Sequence, residues 1–341
     1  MEKELVLVTG GSGFIAVHII LKLLKGGYRV RATLRTISRQ DEVKSMLARG
    51  GVTEFTNLEF IQTDLTSDKN WMEAAAGASY VIHVASPTPA TRPEDGDEMV
   101  KMAVEGTLRV MKAAKASGVK RVVLTSASGS VIAGHKSHPE VFTEEDWTDL
   151  TSNIDAYQRS KTMAEHAAWE FAKKENMELS AVNPVAVMGP VLGQDYSHSN
   201  QIIKGMLDGK MRFLLKAAFD CVDARDVADL HLLAMTRPEA AGERFLATSG
   251  ENLTYKEEAK ILQRNLGSAA KKVSTKVMPD ILVKFLAVFN KDLRMPATFL
   301  GQNTACSNAK AKKLLGWQPR SAEEAIMATA KSMIELGLID K

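Results

Sequence analysis

Leu5-Val6-Leu7-Val8-Thr9-Gly10-Gly11-Ser12-Gly13-Phe14-Ile15-Ala16 is the stretch of sequence around which the rest of the chain is arranged. Its apolar run ends at glycines and is followed at once by a segment of helical periodicity, so it predicts a strand, a tight turn and a helix. Gly10 permits the turn, and Gly13 lets backbone approach a pyrophosphate without a Cβ atom in the way. The N–H groups at the helix N-terminus attract phosphates. The spacing therefore predicts a dinucleotide site, with an ordinary strand-to-helix turn as the alternative.

Composition limits the class of protein. The chain has 341 residues, 45% of them hydrophobic, enough for one large domain or two fused ones. Its 44 basic and 41 acidic residues are interleaved and leave a net charge of +3, so no basic stripe indicates a nucleic-acid partner.

Cys221 and Cys306 are far apart, which favours free thiols in a reducing compartment. No metal is expected, because His135, His138 and Glu140 lack a further ligand with confirming spacing. The charged N-terminus precedes only a short apolar run, so we expect no signal peptide or membrane span, and a cytoplasmic protein.

Short β-rich segments alternate with segments of helical periodicity along the first half of the chain. The predicted strands after the first are residues 28–34, 58–62, 80–84, 121–125 and 179–182. Strands joined by helical crossovers form a parallel sheet with both faces covered, and the ligand lies beyond the strand C-termini. The sequence therefore predicts an α/β fold, a Rossmann-type doubly wound parallel sheet with a smaller, mostly helical C-terminal substrate-binding region.

The alternation becomes irregular beyond Pro184. The later predicted elements are a loop and helix at 194–211, a strand at 219–223 that returns to the sheet, and helices at 226–235, 255–266, 279–290 and 322–336. The predicted Rossmann domain comprises residues 1–183 and about 219–248, and the cap comprises about 184–218 and 249–341. The apolar segment 280–289 is too short to cross a membrane and would pack against the cap or a partner subunit, in a monomer or homodimer.

Arginines follow the second strand, where a carboxylate would hold the ribose hydroxyls of NAD. The sequence there is Thr33-Leu34-Arg35-Thr36-Ile37-Ser38-Arg39, with no acid. Guanidinium groups bind a 2′-phosphate through charge-assisted, often bidentate hydrogen bonds. Arg35 and Arg39 therefore predict NADP, while exposed surface arginines are the ordinary alternative.

The ends of the third and fourth strands supply further cofactor candidates. Asp64 could accept a hydrogen bond from an adenine amino group, cap the next helix, or do both. Ala85 and Ser86 are small enough to let a dinucleotide lie across the sheet edge. His83 is expected to be a packed strand residue rather than a ligand.

The fifth strand and the helix after it carry the catalytic candidates. The strand ends in Leu124-Thr125-Ser126-Ala127-Ser128-Gly129-Ser130, a cluster of hydroxyls where the substrate should lie, and Tyr157-Gln158-Arg159-Ser160-Lys161 follows. On a helix, residues four apart share a face, so the phenol and the ammonium can point into one site. The lysine charge would lower the phenol pKa, and Tyr157 could then pass a proton to a carbonyl oxygen as hydride arrives from a nicotinamide.

Taken together, these motifs resemble those of the extended short-chain dehydrogenase/reductases, and within them the dihydroflavonol 4-reductase and carbonyl (aldehyde) reductase group. The resemblance covers nearly the whole chain and includes Val30-Arg31-Ala32-Thr33-Leu34-Arg35, Asn183-Pro184-Val185-Ala186-Val187-Met188-Gly189-Pro190, Val222-Asp223-Ala224-Arg225-Asp226-Val227-Ala228 and Leu314-Leu315-Gly316-Trp317-Gln318-Pro319. It implies a reductase that uses NADPH on a small carbonyl substrate, with Tyr157 as acid and Lys161 as its pKa-lowering partner and ribose contact. The predicted cofactor site comprises Thr9, Gly10, Ser12, Gly13, Phe14, Ile15, Arg35, Arg39, Asp64, Leu65, Val84, Ala85, Ser86, Tyr157, Lys161, Pro184 and Val187.

Two positions depart from the family pattern. The usual catalytic serine, the second of a Thr-Ser-Ser run, is Ala127 here, and Ala16 replaces the third glycine of the turn. Ser126 and Ser128 are both catalytic candidates. We favour Ser126 because it belongs to the strand-terminal Thr-Ser pair, but Gly129 permits a turn that could bring Ser128 into the site. A third option is that neither serine acts and a bound water suffices.

Three functional classes fit these residues. An NADPH-dependent ketone or aldehyde reductase is the first. A nucleotide-sugar epimerase or dehydratase would share the tyrosine and lysine but recycles tightly held NAD, which the arginines after the second strand disfavour. A catalytically silent NADPH-sensing regulator would not need an intact Tyr157 and Lys161. We therefore expect a reductase whose specificity lies in cap residues that no motif fixes.

Overall fold

The computed structural model describes residues 3–87, 96–135, 140–194, 196–289 and 300–340, so His138 lies outside the described residues. The strands are β1 (Leu5–Thr9), β2 (Arg29–Leu34), β3 (Leu58–Gln62), β4 (Tyr80–His83), β5 (Arg121–Thr125), β6 (Glu178–Pro184), β7 (Ala186–Met188), β8 (Ala218–Asp223), β9 (Arg244–Ala247) and β10 (Asn252–Thr254). The helices are α1 (Phe14–Lys25), α2 (Gln40–Arg49), α3 (Trp71–Ala75), α4 (Gly96–Ala116), α5 (Ala156–Glu175), α6 (His198–Leu207), α7 (Ala224–Thr236), α8 (Tyr255–Leu266), α9 (Asp280–Phe289), α10 (Ala309–Leu315) and α11 (Ala322–Glu335).

Seven strands of the described chain form one sheet, in the order β3-β2-β1-β4-β5-β6-β9. Every neighbouring pair is parallel, so the C-terminal ends of these strands share one edge. β1 lies between β2 and β4, and the strand order reverses there, at the position where ligands bind in such sheets. The Rossmann-type sheet and its predicted strands are confirmed to within two residues at their ends.

Residues 219–223 form a strand, but the expectation that this strand returns to the parallel sheet is wrong. β8 pairs with β7 and β10 in a second sheet of three strands, as far as the described residues show. The outer strand of the main sheet is instead β9, beside β6, where no strand was expected. β8 and β9 are both short and mostly buried, so local pattern does not reveal which sheet each joins.

The main hydrophobic core joins the first strand to residues late in the chain. Val6 belongs to the same buried cluster as Trp317 and Met333. The Trp317 indole N–H donates to the backbone carbonyl of Asp226 on α7 (2.9 Å), and the backbone N–H of Arg320 donates to the Asp226 carboxylate (2.7 Å). The segment from α10 to α11 therefore closes the core over α7.

The apolar helix α9 packs by one side only. Val283 and Ala287 are buried, whereas Ile281, Phe285 and Phe289 are exposed by 85%, 61% and 75%. In the part of the chain that the structure describes, no helix is long and apolar enough to cross a membrane.

Glu258 on α8 should make stability depend on pH. Its side chain is buried and its Oε2 has no hydrogen-bond partner among the described residues, and burial raises its pKa from 4.5 to about 8. Between these two values the folded chain holds a proton that the unfolded chain has released. The free energy of unfolding should therefore fall as pH rises through this window, by at most about 1.4 kcal/mol per pH unit.

Replacing Glu258 with glutamine should remove this dependence, because an amide does not titrate. Urea denaturation of wild type and Glu258→Gln across the window would measure it. Glu251→Gln, an exposed carboxylate nearby in sequence, serves as the control and should keep the wild-type slope. Equal slopes in wild type and Glu258→Gln would contradict the assignment.

Candidate active site

A small cavity lies at the C-terminal edge of the main sheet, between the ends of β4 and β5 and the helices α4 and α5. Its lining residues are Ala85, Ser86, Pro87, Ala103, Thr107, Leu124, Thr125, Ser126, Lys161, Ala164 and Glu165. The cavity thus brings together the predicted cofactor residues Ala85 and Ser86 with the catalytic candidates Ser126 and Lys161.

The glycine turn after β1 has the predicted shape. Gly10 has a φ of +70°, and a Cβ atom there would lie 3.0 Å from the Ala85 Cα. Gly13 precedes α1 and donates its N–H to the Gly10 carbonyl (2.9 Å). Helix α1 begins at Phe14, followed by Ile15, and its first turn has no acidic residue and no side-chain cap. No side chain among the described residues therefore competes with a ligand for the N–H groups of that turn.

Thr9 joins the ends of β1 and β4 from inside the protein. Its buried hydroxyl accepts the backbone N–H groups of Val84 and Ala85 (both 3.0 Å) and therefore donates to His83 Nδ1 (2.8 Å). Burial, aided by the Lys161 charge, lowers the pKa of His83 to about 3 and keeps it neutral. Thr9 thus shapes the sheet edge, while its side chain is already fully hydrogen-bonded. His83 is the packed strand residue that the sequence predicts.

Arg35 and Arg39 both follow β2, but they have different surroundings. Arg35 is exposed. Arg39 donates from Nη1 to Ser12 Oγ (3.1 Å) in the glycine turn and makes a bidentate contact with Glu42 (2.8 and 2.9 Å). Arg39 therefore lies against the turn that would hold the phosphates, and Ser12 is its contact there.

Asp64 caps a turn, so the expectation that it caps the next helix is wrong. Its Oδ1 accepts the backbone N–H (2.8 Å) and hydroxyl (2.7 Å) of Thr66, and these bonds, with help from Arg35 and Arg109, lower the Asp64 pKa. The next helix, α3, begins later, at Trp71. The adjacent Leu65 packs against Gly106 of α4, where a Cβ atom would lie 2.9 Å from the Leu65 Cβ.

The last two cofactor candidates lie at the end of β6 and in β7. Pro184 is the last residue of β6, and Val187 is buried in β7. The chain therefore passes from the main sheet into the second sheet at this segment, beside the shared edge of strand ends.

Tyr157 and Lys161 lie one helical turn apart near the start of α5. Asp155 caps this helix by accepting the Tyr157 backbone N–H (2.8 Å), which explains why the helix begins here. Lys161 is buried and donates from Nζ to the Thr125 carbonyl oxygen (3.3 Å). Burial lowers the Lys161 pKa to about 8, and the Glu165 carboxylate opposes that shift.

The Tyr157 phenol does not show the pKa lowering that was expected from Lys161. Although 44% of the residue is exposed, burial around the hydroxyl and then the Asp155 charge raise its pKa. Lys161 turns instead to the Thr125 carbonyl. The phenol is therefore protonated at neutral pH in this structure, as an acid must be before it acts.

The structure separates the two candidate serines. Ala127 has extended backbone and is buried, and the buried Ser126 donates from Oγ to Glu165 Oε2 (2.6 Å). Ser128 is half-buried and begins a short 3-10 turn, Ser128–Ser130. The Ser126 hydroxyl thus already donates to an internal carboxylate, so Ser128 is the better candidate for a catalytic serine.

Sequence reasoning missed a buried polar cluster beneath these residues. Glu165 accepts hydrogen bonds from Ser126, from Asn183 (2.8 Å) on β6 and from Arg244 Nε (2.7 Å) on β9. The available signal was the four-residue spacing of Tyr157, Lys161 and Glu165, which places an acid on the same face of one helix. Its partners are distant in sequence and carry no local signal.

Comparison with known proteins identifies the family of this chain. The sequence model of the NAD dependent epimerase/dehydratase family matches residues 6–247. A dihydroflavonol 4-reductase of Zea mays is 32% identical over 260 residues, 73% of this chain and 71% of that protein. Ketoreductase azaE of Aspergillus niger is 30% identical over 349 residues, 97% of each chain. The crystal structure of yeast methylglyoxal/isovaleraldehyde reductase Gre2 complexed with NADPH superposes with a TM-score of 0.79 at 25% identity, covering 98% of this chain and 99% of that one. This chain therefore belongs to the NAD dependent epimerase/dehydratase family, within the extended short-chain dehydrogenase/reductases that its motifs resemble.

Proposed function

We propose that this chain is an NADPH-dependent reductase that converts a ketone or an aldehyde to the alcohol. The observation that carries the proposal is the pairing of Tyr157 and Lys161 on α5, at the end of β5 and on the same sheet edge as the glycine turn. Relatives named as a dihydroflavonol 4-reductase and a ketoreductase support it, as does the NADPH complex of the yeast reductase.

The residues of this chain fit such a cofactor. Gly10 and Gly13 keep Cβ atoms away from the turn, and the N–H groups that open α1 would bind the pyrophosphate. Arg35 and Arg39 would hold the 2′-phosphate, since both follow β2 and Arg39 already contacts Ser12. When bound, NADPH supplies the hydride.

The protein would hold the carbonyl group and provide the proton. The Tyr157 hydroxyl donates its proton to the carbonyl oxygen as negative charge develops there. The Lys161 ammonium stabilises the phenolate that remains. The Ser128 hydroxyl donates a hydrogen bond to the same carbonyl oxygen, the role for which Ala127 has no donor.

A nucleotide-sugar epimerase or dehydratase is the second candidate, because this chain shares its fold with one. UDP-glucose 4-epimerase of Thermotoga maritima superposes with a TM-score of 0.73 at 21% identity, which concerns the fold alone. The arginines after β2 favour the reductase, because they suit a 2′-phosphate that NAD lacks.

Purified protein mixed with NADPH and a panel of aryl ketones and aldehydes would test the proposal through nicotinamide absorbance. Carbonyl-dependent oxidation of NADPH is expected. Interconversion of nucleotide sugars without net oxidation would indicate the epimerase class. NADPH binding with neither reaction would indicate a regulator.

Replacing Arg35 with alanine should raise the Michaelis constant for NADPH and change that for NADH little. Losing a charge-assisted contact to the 2′-phosphate costs about 1.5–3 kcal/mol, roughly a tenfold to hundredfold increase. Steady-state kinetics with both cofactors would measure the change. Arg237→Ala, an exposed arginine after α7, is the matched control. An unchanged preference in Arg35→Ala would remove Arg35 from the cofactor site.

A further inference from the structure

Glu165 is a fully buried acid at the centre of a polar cluster that joins three strands. Its Oε2 accepts hydrogen bonds from Ser126 Oγ (2.6 Å), Ser130 Oγ (2.7 Å) and Asn183 Nδ2 (2.8 Å). Its Oε1 accepts from Arg244 Nε (2.7 Å) and Trp169 Nε1 (3.3 Å). Ser126 follows β5, Asn183 belongs to β6 and Arg244 opens β9. One side chain of α5 therefore fixes the ends or starts of three neighbouring strands.

This carboxylate keeps its charge inside the protein. Burial alone would raise the Glu165 pKa, but Arg244 and the two serine hydroxyls outweigh burial and lower it. Arg244 is itself held in place: its guanidinium stacks on the Trp147 ring at 3.6 Å and donates from Nη1 to the Glu144 carbonyl oxygen (2.8 Å). Protein groups rather than water therefore stabilise the ionised carboxylate.

Lys161 lies four residues before Glu165 on the same helix, and the Glu165 charge opposes the lowering of the Lys161 pKa by burial. The two side chains line one cavity. The other described groups that contact or influence the ammonium bring no negative charge: the Thr125 carbonyl of β5 is a dipole, and His83 of β4 is kept neutral by burial. The Tyr157 phenol, one helical turn earlier on α5, is protonated. A buried ammonium without an opposite charge tends to lose its proton.

We propose that Glu165 is a positioning residue of this active site, whose buried carboxylate keeps Lys161 protonated and fixes the strand end that carries Ala127 and Ser128. The proposal rests on the proposed reductase function. Its chemistry is electrostatic: the carboxylate acts through Lys161 and through the hydroxyls of Ser126 and Ser130.

Glu165→Gln tests the charge while keeping the shape. The glutamine oxygen can still accept from Arg244, and its amide can donate to Asn183 Oδ1, which has no hydrogen-bond partner among the described residues, once the Asn183 amide turns over. Without the negative charge, Lys161 should lose its proton more readily. We expect the alkaline limb of kcat/KM for carbonyl reduction to move to lower pH by about one unit.

Glu170→Gln removes an exposed carboxylate from the same helix and should leave the limb unchanged. A folded Glu165→Gln variant whose alkaline limb matches wild type would overturn the proposal, even if its melting temperature were lower. Glu165→Gln could fail to fold because Arg244 loses its charged partner. In that case the double variant Glu165→Gln/Arg244→Gln removes both buried charges, and its alkaline limb of kcat/KM should be shifted in the same direction.

The two proposals can fail separately. If the wild-type protein reduces no carbonyl compound, the reductase function is contradicted. The protonation of Lys161 can then be measured through the pH dependence of NADPH binding. In that case the dissociation constant for NADPH should rise at lower pH in Glu165→Gln than in wild type, because Lys161 is a predicted ribose contact. Identical pH dependence of binding in the two proteins would overturn the role of Glu165.

Discussion

Replacing Tyr157 with phenylalanine should remove nearly all carbonyl reduction and leave NADPH binding almost unchanged. The phenol is the proposed proton donor, and Tyr157 lies one helical turn before the buried Lys161 on α5. Losing a general acid typically costs about 10²–10⁴ in rate, whereas the aromatic ring remains in the variant. The turnover number with a reactive aldehyde and the NADPH dissociation constant, read from quenching of protein fluorescence, would separate the two effects.

Tyr28→Phe is the control for this experiment. Tyr28 directly precedes β2, at the end of the strand opposite the site, and should tolerate the same loss of a hydroxyl. Wild-type turnover in Tyr157→Phe would show that the proposed active site is in the wrong place. Loss of NADPH binding in that variant would instead assign Tyr157 to the cofactor rather than to proton transfer.

Replacing Ser128 with alanine should reduce turnover by about 10²–10³ with NADPH binding intact, the usual cost of one oxyanion donor. Ser128 is half-buried at the start of the 3-10 turn, next to the position where the family has its serine. Ser126→Ala should behave differently, because Ser126 donates to the buried Glu165. We expect it to cost stability, about 1.5–3 kcal/mol for a bond to a charged group, and to change turnover much less.

Kinetics and urea denaturation of both variants would decide between the serines. A large kinetic loss in Ser126→Ala with a silent Ser128→Ala would restore the preference that the sequence favours. Two kinetically silent variants would rule out a catalytic serine at this strand end and leave Tyr157 acting with a bound water.

Local signals account for what the sequence could predict. The boundaries of β1 and α1 follow from an apolar run, a glycine turn and a helical period that are adjacent in the chain. The Tyr157 and Lys161 pairing is likewise contained in one helical turn. In contrast, the partners of Glu165 are 39 residues away at Ser126 and 79 away at Arg244, so only the folded sheet brings them together.

The same reasoning explains the corrections. β8 and β9 differ in their partners rather than in their own pattern, so their sheets could not be told apart locally. The direction of the Tyr157 pKa shift depends on burial, which spacing along a helix does not report. Asp64 accepts hydrogen bonds from Thr66, two residues later and before α3 begins. Sequence could not distinguish this turn from a helix cap, because both motifs use the same residue types.

The closure of the main core by Trp317 has a consequence for how the protein is made. A ribosome delivers β1, α1 and α7 well before Trp317 and Met333, which belong to the same buried cluster as Val6. Until those later residues emerge, the apolar surface over α7 stays uncovered, and nascent chains with such surfaces depend on chaperones to avoid aggregation. The region that matches the family model, residues 6–247, does not contain that cover, so residues beyond the matched region complete the core.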